Sequence, residues 1–284
     1  VTTWNTLIAG YIQNGHGVKA LHCFQQMQDE GICPNGFTFA SVLKACTSIE
    51  ELDRGQIIHA MIANEEFMRK DIFVGNALVD LYAKCSIIDK AKAVFDELPI
   101  RDVVSWTVLI EAFAMNDHGE EAINYFKEMQ IQGFSPNAIT FACALKACGS
   151  IGAIDNCAEI YAEISRQGLV ENDPFLSSAL VDFYAKCGML NEARVVFDGL
   201  TVRNVVLWTT LIGGYAEHGY GKEALNCLES MNHEGFYPDV ITFVCALRAC
   251  GDIGATEKGR EIHEEIDRGG FFETDILVGN ALVD

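Results

Sequence analysis

The sequence is short of positive charge. Its 284 residues carry 20 Lys and Arg against 40 Asp and Glu, a formal net charge of −20. The usual electrostatic footprint of a nucleic-acid binder is a basic patch, so this balance argues against strong unaided attraction to a phosphate backbone. Proline is scarce, at five residues, and three of them, Pro34, Pro136 and Pro238, stand at matched places. The eleven cysteines contain no CxxC pair, which removes the commonest spacing for zinc ligands and redox dithiols. No apolar run approaches the roughly 18 residues of a membrane-crossing helix. The N-terminus has no basic-then-apolar signal pattern, and neither a P-loop nor a GxSxG elbow occurs.

What the sequence does have is a period. VTTWNTLIAG opens the chain, VVSWTVLIEA stands at 103–112 and VVLWTTLIGG at 205–214, so that Trp4, Trp106 and Trp208 are 102 residues apart. ITFACALKAC at 139–148 differs from ITFVCALRAC at 241–250 only at two places, and ILVGNALVD at 276–284 differs from IFVGNALVD at 72–80 at one. Cys46, Cys148 and Cys250 share one matched position and Cys85 and Cys187 another. Lying in different units, they read as small apolar side chains on packed helices.

Each unit contains three helical hairpins. In the first, Trp4, Leu7, Ile8, Tyr11 and Ile12 have helical spacing, Gly15 and Gly17 interrupt it, and Ala20, Leu21, Phe24 and Met27 resume it until Gly31 and Pro34. The second hairpin runs through Phe39, Val42, Leu43 and Cys46, then Ile57, Ile58 and Met61. The third runs through Leu78, Leu81 and Tyr82, then Ala91, Val94, Phe95 and Leu98. A lone hairpin cannot bury its apolar face, whereas stacked neighbours can. The expected fold is all-α, an α-α superhelix or solenoid, with first helices on the concave face and second helices on the convex face. The chain opens inside a unit and stops inside a helix, so it reads as a fragment of a longer array. An N-terminus, with any targeting peptide, is expected to be missing.

The motif VxxWNTLIxGY, followed by KALxxFxxM and GxxPN, resembles the pentatricopeptide repeat (PPR). Alternating lengths of 35, 36 and 31 residues resemble the P, L and S motifs of the PLS subclass of plant organellar proteins. TFASVLKAC is similar to the start of an L motif, and FVGNALVDLYAKC with KAVFDELPIRD to an S motif. The resemblance divides the chain into 1–35 (P), 36–71 (L), 72–102 (S), 103–137 (P), 138–173 (L), 174–204 (S), 205–239 (P), 240–275 (L) and a partial S repeat at 276–284.

The resemblance implies sequence-specific binding of single-stranded RNA in a mitochondrion or chloroplast, one base per repeat, read by the fifth and last residues. Side-chain amides, hydroxyls and carboxylates can match the Watson–Crick edges of unstacked bases. Carried over by position, Asn5 with Asn35 implies a pyrimidine, Asn76 with Asp102 uracil, Thr107 with Asn137 adenine, Ser178 with Asn204 adenine, and Thr209 with Asp239 guanine. L repeats place Ala40, Ala142 and Val244 opposite Asp71, Asp173 and Asp275, and an apolar fifth residue cannot hydrogen-bond a base edge. The implied core is 5′-Y-N-U-A-N-A-G-3′. Thr2, Phe73, Val104, Phe175 and Val206 are the implied wedges between bases. Local alternatives exist: Asn and Thr near a helix start also cap or bond backbone, and the tryptophans could stack on bases or pack in the core, the reading favoured by their apolar face.

Lys44, Lys84, Lys146, Lys186 and Arg248 recur on first helices, beside Asp80, Asp182, Glu111 and Glu217, so the implied groove is near neutral. Much of the acidic excess falls on second helices and loops. Weak binding by this stretch alone, with modest salt dependence, is expected, and a protein partner is equally allowed; in the family, L repeats can dock organellar editing-factor proteins. Many PLS proteins specify cytidine-to-uridine editing, with the chemistry in a C-terminal deaminase domain. A zinc deaminase needs HxE with PCxxC. Here only His263-Glu264-Glu265 matches HxE, and no PCxxC follows. No catalytic residue, metal, cofactor or small-molecule substrate is therefore expected in this stretch. The alternative to an RNA-recognition module is a protein-interaction solenoid of the tetratricopeptide type, whose 34-residue period and WxxLGxxY motif this chain does not follow.

Overall fold

The protein was analysed as a computed structural model that describes residues 1–64, 71–169, 173–200 and 202–269. Among them there are sixteen α-helices and no strand. They are α1 Thr2–Gln13, α2 Gly17–Asp29, α3 Gly36–Ser48, α4 Leu52–Asn64, α5 Ile72–Lys84, α6 Ile88–Glu97, α7 Val103–Met115 and α8 Gly119–Ile131. They continue as α9 Ala138–Ile151, α10 Ile154–Arg166, α11 Pro174–Lys186, α12 Leu190–Gly199, α13 Val205–Glu217, α14 Gly221–His233, α15 Val240–Ile253 and α16 Thr256–Gly269. The fold is that of an all-α solenoid of helical hairpins. The chain forms two compact units, Val1–Ser150 and Ile151–Asp284. The partial repeat at 276–284 and Asp275 lie outside the described residues.

In the first unit α1, α3, α5 and α7 pack successively side by side, and α2, α4 and α6 each contact the first helix of the following hairpin. In the second unit α11, α13 and α15 form the corresponding layer, backed by α12 and α14. The reason is visible in the buried faces. Each second helix offers one apolar stripe, such as Ala20, Leu21, Phe24 and Met27 in α2 or Ala224, Leu225, Leu228 and Met231 in α14. α3, α5 and α13 are buried on more than one side, because each touches its own partner and both neighbouring first helices.

The boundaries follow local chemistry. Second helices α2, α8 and α14 end on Gly31, Gly133 and Gly235, all at positive φ. The next N–H reaches back to the last turn, Ile32 to the Met27 carbonyl at 3.0 Å and Phe134 to that of Met129 at 3.0 Å. This is the Schellman stop, which an L side chain resists. Gly17 and Gly221 have a different role from the helix-breaking one expected of Gly17. Each opens its second helix and is buried against the next hairpin, where an added Cβ meets the Ala45 carbonyl at 3.2 Å and the Ala249 carbonyl at 2.8 Å, respectively.

Two readings of the apolar pattern change, at Leu7 and Ile57, while the tryptophans of the second and third units pack in the core as their apolar face suggests. Leu7 is 44% exposed, although its counterpart Leu109 is fully buried. Ile57 is exposed and Ile62, not Ile57, joins Ile58 in the core of α4. Trp106 and Trp208 are both 1% exposed, packed edge-on against Phe95 at 5.0 Å and Phe197 at 4.5 Å. These two are core residues with no ring face open for a base. Trp4, on a helix with no helix before it in the chain, is half-buried. Cys46, Cys148 and Cys250 are buried, with all eleven thiols free. Burial raises the Cys46 thiol pKa to about 11, so these are inert packing residues.

Candidate nucleic-acid interface

The site is built where one hairpin meets the next. From α3 to α15, the residue before each first helix caps it with its side chain. Asn35 accepts from the Thr38 N–H at 3.0 Å, Asp102 from Ser105 at 2.8 Å, Asn137 from Thr140 at 2.9 Å, Asn204 from Leu207 at 2.9 Å and Asp239 from Thr242 at 2.8 Å. Asp71 and Asp173 each accept from two backbone N–H groups, those of Phe73 and Val74 and of Phe175 and Leu176. A side-chain oxygen here satisfies a helix donor that has no partner within the helix. Capping therefore belongs to the last residue of each repeat. Asn5, for which capping was one reading, sits inside α1 instead. Thr107 and Thr209 do bond backbone, donating to the Val103 carbonyl at 2.7 Å and the Val205 carbonyl at 2.9 Å.

Three junctions tie the fifth and last residues together through a buried threonine, the third residue of the following first helix. Thr38 Oγ1 donates to Asn5 Oδ1 at 2.7 Å and lies 2.9 Å from Asn35 Oδ1, while Asn5 Nδ2 donates to Asn35 Oδ1 at 3.2 Å. Thr140 Oγ1 lies 2.6 Å from Thr107 Oγ1 and 3.0 Å from Asn137 Oδ1. Thr242 Oγ1 lies 2.6 Å from Thr209 Oγ1 and 2.7 Å from Asp239 Oδ1. All three threonines are fully buried. They were not singled out from sequence, although an Asn or Asp followed three residues later by Thr at 102-residue spacing is the signal that marks them.

The remaining junctions differ. After α5, Ser105 Oγ donates to Asp102 Oδ1 at 3.0 Å, while Asn76, 9% exposed, has an Oδ1 with no partner among the described residues. After α11 the third residue is Leu207, buried and without a hydroxyl; Ser178, the fifth residue of its repeat, is half-buried. After α3 the fifth residue is the half-buried Ala40, and the third residue of α5 is the buried Val74. Ala142 is buried and Val244 half-buried. Asp71 and Asp173 are half-buried caps.

Thr2, Phe73, Val104, Phe175 and Val206 are all exposed at the first turn of their helices. Phe37, Ile139 and Ile241, at the same position of α3, α9 and α15, are exposed as well; the sequence reading left them out because it treated those hairpins as non-reading. In the second unit a cleft of about 320 Å³ is bordered by Val206 and Ile241, with Thr209 and Asp239 in its lining. A polar pair between two exposed apolar side chains is a slot suited to a flat ring with a hydrogen-bonding edge.

The charges sort by helix. Lys84 pairs with Asp80 at 3.1 Å and Lys186 with Asp182 at 2.7 Å, each on its own helix. Lys44, Lys146 and Arg248 are exposed on α3, α9 and α15 and make no ion pair among the described residues. His263, in the HxE match, stands 3.9 Å from Asp267. Among the described residues no group of three or more His, Cys, Asp or Glu could hold a metal, and no helix is long and apolar enough to cross a membrane.

Fold and junction together define a helical-hairpin repeat protein with a polar pair recurring at five of its hairpin steps. The profile of the PPR repeat family matches residues 1–48, 101–150 and 203–252, and that of the PPR repeat matches residues 76–103 and 176–205. The chain belongs to the pentatricopeptide repeat family. A chloroplastic pentatricopeptide repeat-containing protein of Arabidopsis thaliana is 36% identical over 283 residues, covering 100% of this chain and 45% of that protein. The chloroplastic protein CRR2 of Arabidopsis thaliana is 36% identical, covering 94% of this chain and 41% of CRR2. A mitochondrial Arabidopsis thaliana relative is 34% identical, over 99% of this chain and 27% of that protein. The chain thus spans less than half the length of these relatives. The crystal structure of the pentatricopeptide repeat protein PPR10 in complex with an 18-nucleotide psaJ RNA element shares the fold, with a TM-score of 0.82 at 24% identity, over 99% of this chain and 42% of PPR10. A tetratricopeptide repeat protein from Parabacteroides merdae aligns with a TM-score of 0.56 at 14% identity, over 87% of this chain and 98% of that one.

Proposed function

We propose that this chain binds single-stranded RNA sequence-specifically, one base per hairpin, as a recognition module of the PLS type in an organellar RNA-editing or RNA-processing factor. The observation that carries this is the recurring junction, seen most fully where Thr209 and Asp239 line a cleft between Val206 and Ile241. The cap explains how one residue can both hold the fold and face a base. One oxygen of Asn137 or Asp239 is engaged with the following helix, leaving the Asn amide nitrogen or the second Asp oxygen for a ligand. The reading pairs are Asn5/Asn35, Asn76/Asp102, Thr107/Asn137, Ser178/Asn204 and Thr209/Asp239, with a 5′-Y-N-U-A-N-A-G-3′ target. Thr2, Phe73, Val104, Phe175 and Val206 separate the bases, and Phe37, Ile139 and Ile241 continue that series through the hairpins that do not read.

The relatives' names support placement in a plastid or mitochondrion, and the RNA bound by PPR10 supports the ligand class. Chemistry on the RNA belongs elsewhere than in these hairpins. The L hairpins are candidate docking sites for editing-factor proteins. The test is fluorescence anisotropy with a labelled single-stranded RNA containing the target and with the same RNA annealed to its complement. Saturable binding to the single strand alone is expected, because the bases must be unpaired to be read. Equal binding to the duplex, or none to either, contradicts the function.

A further inference from the structure

The second helices do not all end alike. α2, α8 and α14 are 13 residues long and close on the glycine turns described above, and the residue before the next cap is a proline, Pro34, Pro136 or Pro238. Glycine and proline thus fix the backbone that leads into Asn35, Asn137 and Asp239. α6 and α12 have only 10 residues and run straight into the extended Leu98 and Leu200, with no left-handed glycine and no proline directly before the cap. The last carbonyls of a helix have no partner within it. Here an arginine takes two carbonyls of the final turn. Arg101 Nε donates to the Phe95 carbonyl at 3.2 Å and Nη2 to the Asp96 carbonyl at 3.1 Å, with the guanidinium 4.7 Å from the centre of the Phe95 ring. Arg203 repeats this on the Phe197 carbonyl at 3.4 Å and the Asp198 carbonyl at 3.3 Å, 4.9 Å from the Phe197 ring.

We propose that Arg101 and Arg203 are positioning residues for RNA binding, side-chain clamps that hold the cap in place at the short hairpins as glycine and proline do at the longer ones. This rests on the RNA-reading function above. The side chain of each arginine is anchored on the helix behind the junction, and the next residue of the chain, Asp102 or Asn204, caps the helix ahead. The geometry is specific to arginine. Its guanidinium bridges two carbonyls and lies over a ring, and its charge suits the negative end of the helix dipole. A lysine supplies the charge without the flat, forked set of donors. The ring under the guanidinium packs edge-on against Trp106 or Trp208, so the clamp sits on the aromatic pair that also anchors the following first helix. Arg203 has a further tether, Nη1 to Glu234 Oε1 at 2.6 Å. In the first unit the matched residue is Gln132, which bonds Glu128 instead. Arg101 is therefore the simpler clamp and the one to test. Releasing it frees the link 98–102 and lets Asp102 shift relative to Asn76 on α5, while the junctions closed by glycine and proline stay as they are.

The test uses the whole chain and three RNAs: 5′-CAUAAAG-3′, 5′-CACAAAG-3′, changed at the third base opposite Asp102, and 5′-CAUGAAG-3′, changed at the fourth base opposite Asn137. Dissociation constants are measured for the chain, Arg101→Leu and Arg101→Lys. The chain favours the first RNA over each of the others about tenfold, within the usual cost of one mismatched base. Arg101→Leu lowers the third-base preference to less than about threefold and leaves the fourth-base preference at about tenfold, since separate sites act independently. Arg101→Lys lowers the third-base preference as well, because one ammonium cannot span two carbonyls and lie on a ring. A residue that only stabilised the fold would weaken all three RNAs together and leave both ratios unchanged, and that result overturns the clamp. A lysine variant that keeps the full third-base preference also overturns it, by showing that charge alone suffices. Should Arg101→Leu fail to fold, Arg101→Lys is read by itself against the same two ratios. A chain that binds none of the RNAs, or does not distinguish the third base, overturns the RNA-reading function at that hairpin and the clamp with it. Discrimination at both bases that is indifferent to Arg101 overturns the clamp alone.

Discussion

Between α1 and α3, Asn5, Asn35 and Thr38 form a closed polar set. One hairpin on, between α3 and α5, the same positions hold Ala40, Asp71 and Val74, and Asp71 bonds only backbone N–H groups of its own helix start. Both junctions stack first helices and both cap them, so capping alone does not require the polar set. What the first junction adds is a fifth residue able to meet a base. What α3, α9 and α15 add is charge, because their Lys44, Lys146 and Arg248 are exposed and make no ion pair among the described residues, whereas Lys84 and Lys186 are held by aspartates on their own helices. Under the proposed function the array divides its work: polar junctions read, and the intervening hairpins supply attraction to phosphate.

The comparison is bounded first by what the two kinds of hairpin share. Trp106 and Phe141 occupy corresponding places in α7 and α9 and are both buried. Replacing either by Ala should cost about 3–5 kcal/mol in thermal or denaturant unfolding, as large aromatic truncations do. Base preference in the folded fraction should not change. A melting curve unaffected by Trp106→Ala, together with lost RNA affinity, would mean that the ring serves RNA and not the core.

A second, smaller effect separates them. Thr209→Asn should move the preference at the seventh base from guanine to uracil by about 1–3 kcal/mol, the usual worth of one base, with stability little altered. Ala40→Asn should create no preference, since Val74 has no hydroxyl to orient the new amide. Competition binding with single-base RNA variants measures both, and a clear preference acquired by Ala40→Asn would erase the distinction between the junctions.

The smallest effect concerns charge. Lys146→Ala should weaken binding uniformly across sequences and reduce the slope of log affinity against log salt by about 0.7, the value for one phosphate contact on a single strand. Lys84→Ala, which also frees Asp80 from its ion pair, should alter the slope less. A base-dependent loss at Lys146 would show that α9 reads.

The fold was legible because a 102-residue period repeats every helix start, glycine stop and apolar stripe three times over. Burial was less legible at Leu7 and Ile57, where apolar spacing marks a face but not whether a neighbour covers it. Gly17 looked like an interruption because sequence shows a missing side chain and not the carbonyl that fills its place. At the candidate site the fifth and last positions came from the resemblance to the pentatricopeptide repeat, and the varied polar set at the matched fifth position agreed with them. The linking threonines did not stand out, because Thr38, Thr140 and Thr242 look like ordinary members of a TF pair opening an apolar helix. Only geometry brings a residue 33 positions away to the fifth side chain.

The central claim is that these junctions read bases in order. It is tested most directly by selecting bound RNA from a randomised single-stranded pool with the purified chain. Enrichment of Y-N-U-A-N-A-G, with the second and fifth positions unselected, is the result expected. A folded chain that enriches no sequence, or whose preferences fall opposite the Ala40 and Ala142 hairpins, would contradict it.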